Sequence, residues 1–451
     1  MYNQYPPPGQ YPGQYPPAQG QYPPAQGYPP QHSSPYPPQG GQYPPPQGGY
    51  GGYGSAPVEL PGSGPYPPQN SNPSYPPPPG GHQSYRPPPP APYSGYGAPP
   101  PGPPHGQYGA PPPQQYGTQY APPPGGGGPP TQPSLGYGPP QLIQWDANPD
   151  AQALRTAMKG FGTDEKTLTR VLANKDPLQV EAIKAAYNRM FSRSLEKDIK
   201  SETSGYFELG LVSIVSGPLL HDVTLLHSAM DGPGTKEKVL NDVLLGRSNA
   251  DMNAIKGMYR RTFNRSLESD VKGDLSMKTE RHFMIVMGAC RAEDSAPVIP
   301  QAVDQDVMEL YRATEGKIGT DEMLVCSILS TRNDNQIRAI SQAYEQKFRR
   351  KLEDVIKKEF SGHMKDALLF QLRSAVDKFM NAATLLEDAM SGMGTKDQLL
   401  VARVVRYHWD RQTLENIKGA YQQRYRKSLA SRINGETSGD YGRLMVACVG
   451  G

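Results

Sequence analysis

From Trp145 onward, apolar residues return at the three- and four-residue intervals of amphipathic helices. Leu154, Ala157 and Met158 form the first stripe, with Asn148 as the expected cap, Pro149 at the first helical position and Gly160 as the stop. Thr163 is expected to cap a second helix, with Asp164 and Glu165 in its first turn and Leu168, Val171 and Leu172 turned inward. Asp176 and Pro177 start a third, which runs through Val180, Ile183, Ala186 and Tyr187 to Phe191. Ser194 opens a short fourth that ends near Glu202, and Tyr206 to Val215 makes an apolar fifth. Five helices in about 70 residues form one unit of a repeat.

The unit recurs three more times. Its best marker is YNRMFSRSLEKDI from Tyr187, matched by YRRTFNRSLESDV from Tyr259, YEQKFRRKLEDVI from Tyr344 and YQQRYRKSLASRI from Tyr421. The aromatic and Leu positions of this marker fall at helical spacing and are assigned to the core. The chain is therefore expected to be all-α, with repeats over 142–217, 218–290, 291–375 and 376–451. An extra stretch, AEDSAPVIPQ from Ala292, separates the second copy from the third and groups the four as two pairs.

Residues 1–141 carry no such period. They cycle through YPPPGQ, YPPAQG and GGYGGYG, and their only acidic or basic residues are Glu59 and Arg86. That composition cannot bury a core, so a disordered tail with polyproline II stretches is expected. It is read either as a solvated spacer or as a weak multivalent surface, whose spaced tyrosines engage protein partners or other copies of the chain. With no PPxY, a specific WW-domain ligand is not indicated.

A net charge of +3 is too small for a nucleic-acid footprint. Cys290, Cys326 and Cys448 lack CxxC spacing, which argues against a disulfide framework or a zinc site and fits a reducing, cytoplasmic setting. The N-terminus lacks the segments of a signal peptide, and no run of 18 apolar residues is evident, so any membrane contact is expected to be peripheral.

The candidate chemistry lies between the first and second helices. MKGFGT (Met158 to Thr163) is followed by Glu202, 40 residues past Gly162; MDGPGT (Met230 to Thr235) by Asp274, 40 past Gly234; EGKIGT (Glu315 to Thr320) by Glu359, 40 past Gly319. Glycine accepts positive φ, so such a turn can bend carbonyl oxygens inward, and a remote carboxylate can close a cage of oxygens suited to calcium. A single loop of this kind is more often ordinary helix punctuation. Punctuation does not require an acid at a fixed distance, and its recurrence favours calcium.

In MSGMGT (Met390 to Thr395) the same count from Gly394 reaches Asn434, while Glu436 lies 42 residues on. The interval from marker tyrosine to acid, however, is the same in every copy: Tyr187 to Glu202, Tyr259 to Asp274, Tyr344 to Glu359 and Tyr421 to Glu436. The two extra residues are thus expected upstream of Tyr421, in a loop around Arg406 to Arg411, and Glu436 is taken as the fourth acid.

Four repeats with GxGT loops and distant acids, a divided middle and a variable tail resemble the annexin family, and the tail resembles those of synexin and fungal annexins. The resemblance implies a slightly curved all-α disc with its loops on the convex face, binding acidic phospholipid membranes reversibly when calcium rises. It implies as ligands the carbonyls of Met158, Gly160 and Gly162 with Glu202; of Met230, Gly232 and Gly234 with Asp274; and of Met390, Gly392 and Gly394 with Glu436. In the third copy Lys317 replaces the first glycine, and Gly316, Lys317 and Gly319 with Glu359 are the corresponding assignment.

Three carbonyls and a bidentate carboxylate give about five oxygens where calcium takes six to eight, so water or a lipid phosphate completes the shell. Phe161 and Met393 at the loop tips and Lys159 beside one of them are candidates for lipid contact. Two other classes compete with this reading. A calcium-independent helical scaffold, with partners bound through the tail, leaves the four acids unexplained. An enzyme finds no support, because His221, His227, His282, His363 and His408 share no repeat position and pair with no Cys motif.

Overall fold

A computed structural model describes residues 128–316 and 318–451. The reading of the tail over 1–127, and that of Lys317 as a ligand, lie outside the described residues.

The first repeat consists of α1 (Asn148–Ala157), α2 (Glu165–Leu172), α3 (Pro177–Phe191), α4 (Leu195–Glu202) and the first half of α5 (Gly205–Met230). The second half of α5 opens the next repeat, followed by α6 (Glu237–Leu244), α7 (Asn249–Phe263), α8 (Leu267–Asp274) and α9 (Met277–Met287). The third contains α10 (Pro300–Thr314), α11 (Glu322–Thr331), α12 (Asp334–Phe348), α13 (Leu352–Glu359) and α14 (Gly362–Val376). The fourth contains α15 (Lys378–Met390), α16 (Asp397–His408), α17 (Arg411–Tyr425), α18 (Leu429–Glu436) and α19 (Gly439–Cys448). The fold is all-α.

At 26 residues, α5 has the length and mean hydropathy of a membrane span, although Glu208, His221 and Asp222 interrupt it and it holds no run of 18 apolar residues. It is two core helices. Gly217 breaks it with φ 75° and ψ 164°, Pro218 follows, and Leu211, Ile214, Val223 and Leu226 are fully buried.

Two caps differ from expectation. Thr163 does not cap α2; the Asp164 carboxylate does, accepting from the Thr167 amide at 3.0 Å. The hydrogen bonds hold that carboxyl below its usual pKa. Ala147, not Asn148, is the residue before α1, and the Asn148 side-chain oxygen accepts from Arg189 at 2.7 Å. The third helix follows the pattern, with Asp176 and Gln179 forming a capping box.

The two extra residues of the fourth repeat fall within the expected stretch, but in a helix and not in a loop. The second helix has 8 residues in α2 and α6, 10 in α11 and 12 in α16, and α16 runs through Arg406 to His408. The insertion lengthens a helix, because Val404, Val405 and His408 continue its buried stripe. A loop would have left those apolar groups without that stripe.

The marker tyrosines Tyr187, Tyr259, Tyr344 and Tyr421 are buried, each with its hydroxyl on a carboxylate: Asp198, Asp270, Glu315 and Glu387 respectively. The hydrophobic core does not follow the pairing suggested by the extra stretch. Leu168, Leu172 and Leu211 of the first repeat share one cluster with Leu400, Val404 and Leu444 of the fourth, while the second and third repeats have clusters of their own. Position along the chain groups neighbours; burial of apolar faces joins the first repeat to the last.

The second and fourth repeats also meet through buried charge. Arg403 reaches Asp242 at 2.7 Å, and Arg406 and Arg247 each lie 2.5 Å from Asp222. Residues 128–141, counted with the tail above, pack here: the Tyr137 hydroxyl also donates to Asp222, Ser134 bonds Asp251 and the Thr131 amide bonds Glu293. Tyr137 is buried, so this stretch departs from the expected solvated tail.

Candidate metal centre

Each loop between first and second helices is closed by one main-chain hydrogen bond. Asp164 donates to Ala157 at 2.9 Å, Lys236 to Ala229 at 3.0 Å and Lys396 to Ala389 at 2.9 Å. Within these loops the first glycine has φ 118° at Gly160, 105° at Gly232 and 106° at Gly392, and the second has 82°, 79° and 84° at Gly162, Gly234 and Gly394. A Cβ at any of these six would meet nothing within 4 Å. Backbone conformation, not crowding, therefore demands glycine there.

The third loop is wider. Asp321 donates to Ala313, two residues before Glu315, at 2.7 Å. Gly319 has φ 86° and matches the second glycine, but Gly316 is packed: its amide donates to Tyr311, and a Cβ would lie 3.0 Å from the Arg312 Cα. Glu315 occupies the place of Met158 and ion-pairs with Arg350.

The distant acids come to these loops because Glu202, Asp274, Glu359 and Glu436 are the last residues of α4, α8, α13 and α18. The loop threonine makes the connection. Thr163 Oγ1 donates to the Glu202 carbonyl at 3.0 Å and Thr235 Oγ1 to the Asp274 carbonyl at 3.3 Å. Thr320 Oγ1 donates to Glu359 Oε2 at 2.9 Å, and Thr395 Oγ1 to Glu436 Oε2 at 2.9 Å. Sequence reasoning assigned these threonines to helix caps and missed this bond. Their fixed place directly after the second glycine was the available signal.

The four acids differ in how far they are already satisfied. Glu202 is exposed. Asp274 keeps Oδ2 buried with no hydrogen-bond partner, an orphaned anionic oxygen that fits a cation. Glu359 takes hydrogen bonds from Lys358 and Thr320, which hold its carboxyl below the usual range. Thr395, and then Arg432, hold the Glu436 carboxyl low in the same way. Asn434 is exposed on α18 and makes no such link.

Among the described residues, no three His, Cys, Asp or Glu side chains gather as a metal cluster. A cation here would therefore depend on loop carbonyls as well as the acid, a donor set of hard oxygens suited to calcium. Phe161 and Met393 project fully into solvent at their loop tips, and Lys159 is exposed beside the first. Ile318, equally exposed at the third tip, was not singled out from sequence, although it stands at the position of Phe161.

An all-α chain of four repeats, each presenting a glycine loop to an acid at a helix end, defines a class. The annexin family model matches it over 149–214, 221–285, 305–370 and 381–448. The chain belongs to the annexin family, known for calcium-dependent phospholipid binding. It is 44% identical over 312 residues to Annexin C1 of Cryptococcus neoformans and 39% identical over 307 residues to human Annexin A7, each match covering 68% of this chain. These matches span 66% and 62% of those relatives. Against mouse Annexin A13 the match is 38% over 304 residues, 67% of this chain and 95% of the relative.

Solved annexins share the fold. A mutant of annexin A8 with an intact N-terminus has a TM-score of 0.65 at 33% identity, covering 69% of this chain and 97% of that one. Calcium-bound annexin (Sm)1 has a TM-score of 0.62 at 26% identity, covering 71% and 92%.

Proposed function

We propose that this chain binds acidic phospholipid membranes in a calcium-dependent, reversible and peripheral manner, acting in the cytoplasm in membrane organisation or trafficking. The observation that carries the reading is the repeated hydrogen bond from a loop threonine to the residue bearing the distant acid. That bond ties the loop to the acid's residue in every repeat. The orphaned Asp274 Oδ2 supports a cation at the second loop.

The residues that would hold calcium are Met158, Gly160 and Gly162 with Glu202; Met230, Gly232 and Gly234 with Asp274; and Met390, Gly392 and Gly394 with Glu436. In the third loop, Gly316, Lys317 and Gly319 with Glu359 complete the set. Bound calcium would join these oxygens to a lipid phosphate oxygen, linking the affinity for the ion to that for the membrane. Phe161 and Met393 offer apolar tips to the interface, and Lys159 offers a charge to an anionic head group. The tail, expected over 1–141 but with 128–141 packed on the repeats, mediates protein contacts or self-association in this reading through the residues before 128, ahead of repeats over 142–217, 218–290, 291–375 and 376–451. Neither catalysis nor nucleic-acid binding is part of it.

Sedimentation of the full chain with phosphatidylserine or phosphatidylcholine vesicles, in calcium or chelator, tests the reading. Pelleting only with phosphatidylserine in calcium is expected. Equal pelleting in chelator would instead favour a calcium-independent scaffold.

A further inference from the structure

The residues four places before the four acids are Asp198, Asp270, Val355 and Arg432. In the first repeat Asp198 pairs across to Arg155 of α1, with Nη1 and Oδ2 3.6 Å apart. The fourth repeat reverses these charges. Glu387 of α15 occupies the place of Arg155, and Arg432 of α18 that of Asp198. The guanidinium thereby moves onto the helix that carries the acid.

From there it reaches the loop. Arg432 Nη2 donates to the Met390 carbonyl at 2.8 Å, and Nη1 ion-pairs with Glu436 Oε1. Nε and Nη2 hold the two Glu387 oxygens at 3.2 Å each, and Tyr421 also donates to Glu387. The planar fork is thus fixed at one edge by Glu387 while its remaining donors occupy two oxygens assigned above to calcium. A dication and a guanidinium both held at those oxygens would repel at contact distance, so each disfavours the other there. Lys358 on Glu359 is a weaker counterpart, being a single contact from a side chain that is 68% exposed, against 23% for Arg432.

We propose that Arg432 is a tethered cation that closes the fourth loop to calcium, so that this loop takes the ion only when the guanidinium is displaced. The proposal rests on the calcium-dependent reading above and concerns how one of its sites is regulated. It gives the protein unlike sites: loops free to bind at low calcium and one with a raised threshold. At that loop calcium must first break the Arg432 contacts to Met390 and Glu436.

The test is calorimetric titration of the full chain with calcium alone. Its background is Glu202→Gln, Asp274→Asn and Glu359→Gln, in which only the fourth loop keeps its acid. Adding Arg432→Met is expected to lower the half-saturating calcium by at least about tenfold, as removal of a competing charge-assisted contact should. The exchange Glu387→Arg with Arg432→Asp, which rebuilds the arrangement of the first repeat and retains an ion pair, is expected to do the same. It carries the test should Arg432→Met fail to fold. Unchanged or weaker binding in the folded variants, with the unsubstituted chain still binding calcium, overturns the role of Arg432. Absence of calcium binding in the unsubstituted chain overturns the parent reading instead.

Discussion

The first and fourth loops have the same backbone and opposite surroundings. The first glycine has φ 118° at Gly160 and 106° at Gly392, the second 82° at Gly162 and 84° at Gly394, and both loops close on an alanine carbonyl at 2.9 Å. Yet Glu202 is exposed, whereas Glu436 and the Met390 carbonyl are bound by Arg432. A motif fixes where oxygens can point. Whether they are free depends on a side chain remote from the loop in sequence, one that α18 holds against Glu387 of α15.

This contrast predicts unequal effects from equal substitutions. The largest should come from combining Glu202→Gln, Asp274→Asn and Glu359→Gln, which leaves only the closed loop. The calcium midpoint for phosphatidylserine vesicles should rise more than about tenfold, because multivalent attachment is lost. A shift of under twofold would show the fourth loop to be open.

Single neutralisations sharpen the same point. Glu202→Gln should raise that midpoint about fivefold, while Glu436→Gln, whose charge is already matched by Arg432, should change it less than about twofold. Equal shifts in the same sedimentation assay would contradict the contrast.

A smaller difference is expected at the tips. Phe161→Ala should weaken vesicle affinity about threefold, as expected from partial burial of an aromatic ring, and Met393→Ala should weaken it less. Binding curves at saturating calcium would show the reverse order if the fourth loop were the better seated. The smallest effect concerns stability. Thr163→Val removes one hydrogen bond at an exposed helix end and should cost about 0.5–1 kcal/mol in chemical unfolding. A loss of several kcal/mol would mean that the threonine does more than join loop to acid.

Much of this was legible in the sequence. The stripe through Val180, Ile183 and Tyr187 pointed to the third helix, and the constant interval from marker tyrosine to acid led from Tyr421 to Glu436, the residue at the end of α18. Local periodicity suffices where one helix buries one face. It fails where partners come from distant segments. Thr163 has the chemistry of a cap, and only the arrival of α4 gives it another acceptor. The core shared by Leu168 and Leu444 joins chain ends that sequence order keeps apart. Arg432 was not singled out from sequence; comparing the residues four places before each acid would have marked it as the odd member.

Crystals of the full chain grown in calcium, with the ion located by anomalous scattering, test the central claim most directly. An ion is expected about 2.3–2.6 Å from the Met158, Gly160 and Gly162 carbonyls and the Glu202 carboxylate. At moderate calcium the fourth loop should hold none, with Arg432 still on Met390 and Glu436. A fourth loop filled while the first stays empty would contradict the account.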